Sequence, residues 1–241
     1  MGWRFIDTTN TDPYYVTAVD EAISLARKEK KVSNTLHFYS RNPPAISVGR
    51  SKKIHDDINL EKCLNNNIQI VRRTTGGGTI FTDKDCLIYS LVFDKEELKA
   101  KSPQERFHLV CTSLISSLKE FEITAVYKPP NDILLNGKKI SGSSQIVKGT
   151  IVLIHGTILL NTDIELMNAV LTHPNHEYVS TIYRETKKLL APPQLKKTIK
   201  KEFEHTLDTR FEQTPLSSYE KEIVQSLLQQ RYHKDAWNYV R

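Results

Sequence analysis

Three consecutive glycines, Gly76-Gly77-Gly78, stand between two strand-like runs, Ile68 to Arg72 and Ile80 to Phe81. Glycine permits positive φ and close backbone approach, at a cost in chain entropy. Three of them between strands destabilise the fold unless the backbone itself has a task. Gly2 apart, all the other glycines lie between Gly49 and Gly156. A backbone-lined ligand site is therefore expected in the first two-thirds of the chain, on a loop that strands hold in place.

The flanking pattern supplies those strands. Asp12-Pro13 reads as an N-cap with proline at the first helical position, and Val16, Val19, Ile23 and Ala26 mark one helical face. Leu36 to Ser40 and Ala45 to Val48 read as strands around the Asn42-Pro43-Pro44 turn. Asp57 is expected to cap a short helix carrying Leu60, Cys63 and Leu64. Leu87 to Phe93 is a further strand. Phe107, Val110, Cys111, Leu114 and Leu118 form the stripe of a core-facing helix after Ser102-Pro103. Asn136-Gly137 between two short runs is a hairpin signal. Thr150 to Leu160 is a long β-branched strand, and Asp163 is expected to cap a helix reaching Leu171. From about 192 to 241 the pattern is helical. Strands alternate irregularly with helices and several are joined by hairpins. The fold class is therefore α+β, with mixed, largely antiparallel sheets flanked by helices.

Composition narrows the function classes. The chain has 241 residues, 39% hydrophobic and 26% charged, enough for one large folded domain. It lacks a long uncharged apolar run and an N-terminal apolar segment, which argues against a membrane span and a secretory leader. Cys63, Cys86 and Cys111 show no C-x-x-C spacing, so a reducing, cytoplasmic setting is expected and a structural zinc site is not. A net charge of +6 suggests acidic partners. The charge is dispersed, and the cluster Lys196, Lys197, Lys200, Lys201 runs straight into Glu202 and Glu204. No basic stripe with interleaved aromatics marks a nucleic-acid surface.

Two segments carry chemistry. In Arg72-Arg73-Thr74-Thr75-Gly76-Gly77-Gly78-Thr79, consecutive glycines can offer backbone N–H groups to an anion, and the arginines can add charge-assisted bonds. The P-loop spacing is absent. In Lys128 to Gly142, Asn131 and Asp132 at a strand start could bind adenine, ribose or Mg²⁺, or could simply cap a turn. Lys138 and Lys139 follow the hairpin turn and face opposite ways. One of them can neutralise a carboxylate and its activated phosphate ester.

Together these segments resemble the lipoate–protein ligase family, whose signature combines R-R-x-x-G-G-G with N-D-[hydrophobic]…G-K-K-I-x-G. His155-Gly156-Thr157-Ile158-Leu159-Leu160 is similar to a third family segment, and Arg231 to Asn238 to the end of its catalytic domain. The resemblance implies a biotin/lipoate-ligase-like fold and two reactions. A carboxylate and ATP give an acyl-adenylate, and a carrier lysine then attacks it. It implies Lys139 as the catalytic residue at the acyl carbonyl and phosphate. Arg72, Arg73, Gly76, Gly77, Gly78, Thr79 and His155 would contact the substrate. Asn131, Asp132, Ile80 and Phe81 fall on the nucleotide side, with Asp132 toward Mg²⁺. The implied small molecules are ATP, Mg²⁺ and lipoate. The implied partners are lipoyl-carrier domains, such as a 2-oxoacid dehydrogenase acyltransferase subunit or the glycine cleavage H protein. The chain also looks too short for the accessory C-terminal domain of some members, so that domain is expected to be supplied by a separate subunit or to have been lost.

There are departures from the family pattern. Thr82-Asp83 replaces His-Asp, Asp85-Cys86-Leu87-Ile88 replaces G-[ND]-[hydrophobic]-N, and Gly49-Arg50 is followed by Ser51-Lys52 with no glutamine. Biotin–protein ligases share the segment Lys128 to Gly142 but not the glycine run. Octanoyl or lipoyl transferases that act from a carrier place a nucleophilic cysteine shortly before the hairpin, where this chain has Thr124. A catalytically inactive lipoyl- or nucleic-acid-binding protein is the alternative outside enzymes.

Overall fold

The computed structural model describes residues 2–9, 11–100, 102–172 and 178–240. The strands are β1 (Trp3–Asp7), β2 (Asn34–Tyr39), β3 (Ala45–Val48), β4 (Gln69–Arg72), β5 (Ile80–Thr82), β6 (Cys86–Asp94), β7 (Val126–Lys128), β8 (Asp132–Leu135), β9 (Lys138–Lys148), β10 (Ile151–Leu159) and β11 (Phe211–Gln213). The helices are α1 (Pro13–Lys28), α2 (Ile54–Asp57), α3 (Leu60–Asn65), α4 (Pro103–Lys119), α5 (Ile164–Val170), α6 (Ile182–Thr186), α7 (Pro192–Thr206), α8 (Ser218–Leu227) and α9 (Asp235–Asn238). Among the described residues the large sheet runs β11-β1-β2-β6-β10-β9-β8-β7, and a small sheet runs β4-β3-β5. Pairing is antiparallel from β2 through β7 and parallel at β11-β1-β2, so the architecture is the mixed, largely antiparallel α+β type.

Strand periodicity decides which helix covers which face. Along β6, Leu87, Tyr89, Leu91 and Phe93 point to one side and join Val110, Cys111 and Leu114 of α4 and Leu195, Ile199 and Phe203 of α7. Val92 points the other way, into a cluster with Val19 and Ile23 of α1 and Val224 of α8. Strand β6 is thus buried on both faces. The small sheet has its own core, where Ile46, Val48 and Ile70 meet Ile54, Cys63 and the α5 residues Ile164 and Met167.

Local signals work as their chemistry dictates. The Asp12 side chain accepts from the Tyr15 N–H at 2.7 Å and starts α1. Ser102 and Glu105 cap each other's backbone at the start of α4, a reciprocal box that stabilises by about 1 kcal/mol. Asn136 and Gly137 both take positive φ, 51° and 77°, as the expected hairpin turn requires. Asp163 accepts from Leu166 N–H and caps α5.

Three segments differ from the sequence reading. Asp57 closes the four-residue α2, and Asn59 is the residue that caps α3. The region after residue 192 is not helical throughout, because β11 interrupts it and pairs in parallel with β1. Phe211 drives that pairing by packing edge-on against Trp3, with ring centroids 5.3 Å apart. Strand β1 itself is too short and too near the start for period-two reading, yet Trp3 and Phe5 both enter the main core.

Candidate active site

A cavity of about 290 Å³ is lined by residues of the small sheet and by residues of β9 and β10 of the large one. Arg73, just past β4, shapes one wall. Its guanidinium is buried and donates to the carbonyls of Gly76 and Gly78, both at 2.7 Å, and to the Ser47 carbonyl at 2.8 Å. The loop therefore closes around its own arginine. Gly77 takes φ 88°, and its carbonyl would lie 2.2 Å from a Cβ on Gly49. Both positions thus demand glycine, one for conformation and one for space. Ser144 of β9 donates to the Gly76 carbonyl at 2.9 Å, and Thr79 donates to Asp57 at 2.7 Å. Burial, reinforced by the Arg41 charge, lowers Arg73 to about 10.

The opposite wall comes from the hairpin. A register shift beside Ile133 and Leu134 leaves Asp132 opposite Gly142 and Lys139 opposite Leu134. The bulge re-aims Lys139, a usual consequence of an extra residue on one strand. Its Nζ stands 2.7 Å from Asp132 Oδ1. A Cβ on Gly142 would meet that ammonium at 2.8 Å, so the missing side chain is what makes room for it. The other Asp132 oxygen accepts from Tyr178 Oη at 3.0 Å, and Lys128 donates to the same phenol at 3.0 Å. The Lys139 N–H donates to the Tyr178 carbonyl and the Ser180 N–H to the Lys139 carbonyl, so residues 178–180 strap the lysine's backbone.

Beneath the cavity lies a polar cluster of which sequence reasoning named only His155. Asp20, on α1, is buried and takes four contacts. His37 Nδ1 lies at 2.9 Å and Ser90 at 2.6 Å from Oδ1, with Tyr39 at 2.8 Å and His155 Nδ1 at 3.2 Å from Oδ2. His155 Nε2 meets the Thr75 hydroxyl at 2.7 Å, and that hydroxyl accepts from Arg73 Nε at 3.0 Å. Burial alone would raise Asp20, but the hydrogen bonds from His155 and His37 outweigh it and hold the acid below the ordinary carboxylate range. Burial lowers His155, partly offset by Asp20. The signal was present: Asp20 lies four residues after Val16 and three before Ile23, inside the apolar face of α1.

Several sequence-derived candidates meet here. Arg73, Gly77, Gly78, Thr79, Ile80, Asn131, Lys139 and His155 line the cavity. Gly76 contributes to its loop through the carbonyl already described, and Asp132 lies behind Lys139. Arg72 goes elsewhere: its guanidinium donates to the carbonyls of Gly49, Lys52 and Val240, and its N–H to Asn238. Being one residue before Arg73 at a strand end, it points to the other side. Phe81 lies in the core of the small sheet, one residue from the cavity-lining Ile80.

The model of the lipoyl protein ligase A/B catalytic domain matches residues 12–204. The chain belongs to this family. Within it, octanoyltransferase LipM of Geobacillus kaustophilus is 26% identical, over 99% of this chain and 98% of its own length. Two solved structures agree in fold over nearly the whole chain. One is a bi-partite lipoate protein ligase from Thermoplasma acidophilum, with TM-score 0.87, 21% identity and coverage of 100% and 98%. The other is a lipoate-protein ligase A bound with ATP, with TM-score 0.88, 21% identity and coverage of 99% of each chain. The lipoate-ligase fold expected from the motifs is thereby borne out.

For a member of this family the other titratable groups are informative. Burial pushes the thiols of Cys63 and Cys111 up to about 11 and about 12, and that of Cys86 higher still. All three cysteines are buried and none lines the cavity. Among the described residues no three His, Cys, Asp or Glu side chains are grouped to hold a metal ion. No helix among them is long and apolar enough to cross a membrane.

Proposed function

We propose that this chain joins a medium-chain acyl acid, lipoate or octanoate, to a lysine of a lipoyl-carrier domain by way of an acyl-adenylate made from ATP. Family membership supports lipoyl or octanoyl transfer in general. One observation carries the finer reading: the group facing the glycine loop across the cavity is the Lys139 ammonium, and no thiol lines that space.

The residues divide the work. The backbone of Gly76 to Thr79 and the Asn131 amide bind and orient the phosphate and the nucleotide. Tyr39, Ile80 and Ile88 give an apolar wall against which an acyl chain excludes water. The Lys139 ammonium exchanges Asp132 for the anionic oxygens of the reacting carboxylate and phosphate. That is positioning plus electrostatic stabilisation, with no covalent enzyme intermediate. Asp132 stands as one carboxylate with an ammonium against it, which does not make a resident metal site. It fits Mg²⁺ only as an ion escorted by the nucleotide's phosphates, the usual mode for that cation. The carrier is a lipoyl domain of a 2-oxoacid dehydrogenase or of the glycine cleavage system, to which a basic enzyme surface steers an acidic partner.

The relatives' name favours a second reading, octanoyl transfer from one carrier to another. A cysteine nucleophile needs an exposed thiol in a setting that lowers its pKa, and the three thiols here have the opposite. ATP–pyrophosphate exchange separates the two. Exchange dependent on lipoate or octanoate supports the ligase. Octanoyl transfer from an octanoyl-carrier without ATP, with no exchange, replaces it. Exchange with biotin alone rejects both. Full adenylation by the isolated chain would remove the expectation of an accessory subunit.

A further inference from the structure

We infer that Asp20 is a positioning residue for the glycine loop, acting through His155 and Thr75 by fixing the direction of every hydrogen bond between them. This rests on the proposed binding of an acyl acid beside that loop, but the chain of bonds stands on its own geometry.

Direction follows from the groups that can only donate. Arg73 Nε has a hydrogen and no lone pair, so at 3.0 Å the Thr75 hydroxyl oxygen must accept from it. Thr75 is wholly buried, and among the described residues its own proton has one partner within reach, His155 Nε2 at 2.7 Å. His155 Nε2 must then be the bare nitrogen, which leaves the ring proton on Nδ1, 3.2 Å from Asp20 Oδ2. The carboxylate must therefore accept. It accepts from Tyr39 as well, and its other oxygen takes Ser90 and His37. Each oxygen has two lone pairs and two donors, so no oxygen of Asp20 has room for a proton. His37 continues the pattern outward, since its Nε2 meets the Thr8 hydroxyl at 2.8 Å.

The direction matters because Thr75 shares Arg73 with the loop. The same guanidinium that gives Nε to Thr75 gives its remaining hydrogens to Gly76, Gly78 and Ser47. An acid at position 20 on α1 thus determines the tautomer of a histidine on β10, and through it where Arg73 holds the loop carbonyls. Replacing one carboxylate oxygen by an NH₂ group sets donor against donor. The imidazole then turns over or moves its proton to Nε2, and the Thr75 hydroxyl loses its acceptor. Protonated His155 has the same effect. The charged and titratable groups around that ring are Asp20 of α1, His37 and Tyr39 of β2, Arg41 beyond β2 and Arg73 beyond β4.

The test uses the full chain. In ¹⁵N-labelled protein at pH 7, two-bond ¹H–¹⁵N spectra report the tautomer, with the His155 signals identified by their loss in His155→Gln. Wild type should show His155 with its proton on Nδ1; a proton on Nε2, or an imidazolium, overturns the assignment whatever the enzyme does. In Asp20→Asn the proton should move to Nε2, and calorimetric affinity for octanoate or lipoate should fall about ten-fold. An unmoved tautomer with unchanged affinity rejects the role. Should Asp20→Asn fail to fold, Thr75→Val removes the hydroxyl at almost constant shape and should weaken the acid about ten-fold. Thr75→Ser should recover most of that loss; equal affinities for wild type, Val and Ser reject the role. A wild type that binds neither acid defeats the proposed function, and the tautomer spectrum still decides the Asp20 chain.

Discussion

The two walls of the cavity are built in opposite ways. The glycine-loop wall is saturated: Arg73 donates to Thr75, Ser47, Gly76 and Gly78, and Thr75 leads to His155 and Asp20 under nearly complete burial. The hairpin wall is ionic and only half-buried. Lys139 keeps 30% of its side chain exposed and rests on Asp132, whose Oδ1 contacts the ammonium without a well-directed hydrogen bond. A saturated buried network has little freedom, because any change leaves a polar group unpaired in a low-dielectric interior. A half-buried ion pair without a well-directed hydrogen bond exchanges partners more readily than a saturated network. Under the proposed function, one wall is fixed for binding and the other is held in reserve for the reacting charge.

The strongest way to break this contrast is at Lys139. Lys139→Ala should lower ATP–pyrophosphate exchange by about 10²-fold or more while circular dichroism stays native. Near-normal exchange would mean the hairpin wall has no chemical task. Gly142→Ala is subtler: its Cβ would lie 2.7 Å from Lys139 Cε, the far end of a flexible side chain. The ammonium should be displaced and the fold kept, giving roughly a ten-fold fall in kcat, the scale of a misplaced catalytic group. Denaturant titration of Gly77→Ala should show the rigidity of the other wall. A left-handed φ of 88° is strained for alanine, by about 1–2 kcal/mol, and the loss should appear as stability together with a raised KM for the acid. Unchanged stability would contradict the saturated description.

A pH series probes the saturated wall through His155. His155 has a folded pKa below its ordinary 6.5. The unfolded chain therefore binds its proton first as pH falls. Stability from this residue is complete above about 6.5 and is lost on acidification below it. The melting temperature should drop between pH 7 and pH 5, and should drop less in His155→Gln. The smallest effect belongs to Tyr178→Phe, which removes one partner of Asp132. A change in kcat of about two- to three-fold is expected there, in keeping with the modest net worth of a single part-buried hydrogen bond. A loss comparable to that of Lys139→Ala would show that the hairpin wall is as finely fixed as the loop.

What was legible in the sequence follows the same contrast. The turn of the hairpin wall was read, because Asn136-Gly137 fixes it and Lys139 and Asp132 are close along the chain, but the bulge and the strap at residues 178–180 were not. The strands of the small sheet and of the central region were read from short apolar, β-branched runs between turn signals, but not the division into two sheets. The glycine loop was located, but its arginines were not told apart. Consecutive residues at a strand end diverge, and only the tertiary fold says that Arg73 turns to the cavity and Arg72 to residues 237–240. The Asp20 network was out of reach for a related reason. Its members, Asp20, His37, Ser90 and His155, come from four elements brought together by strand order, and no local spacing records that meeting. Strand β11 was hidden by the helical composition around it. Its three residues are a strand only because β1 offers an edge.

Arg72 joins places that are far apart in the chain. Its guanidinium gathers carbonyls from residues 49–52 and from Trp237 and Val240, while Trp237 Nε1 donates back to its own carbonyl. Gly49, one of those contributors, is where the Gly77 carbonyl rests. Force applied near residue 240 therefore has a short route to the glycine loop, through one side chain and one backbone contact. A fluorescent label or an affinity handle attached near that residue would load this route, and the mouth of the cavity would register it as surely as a change in its own lining.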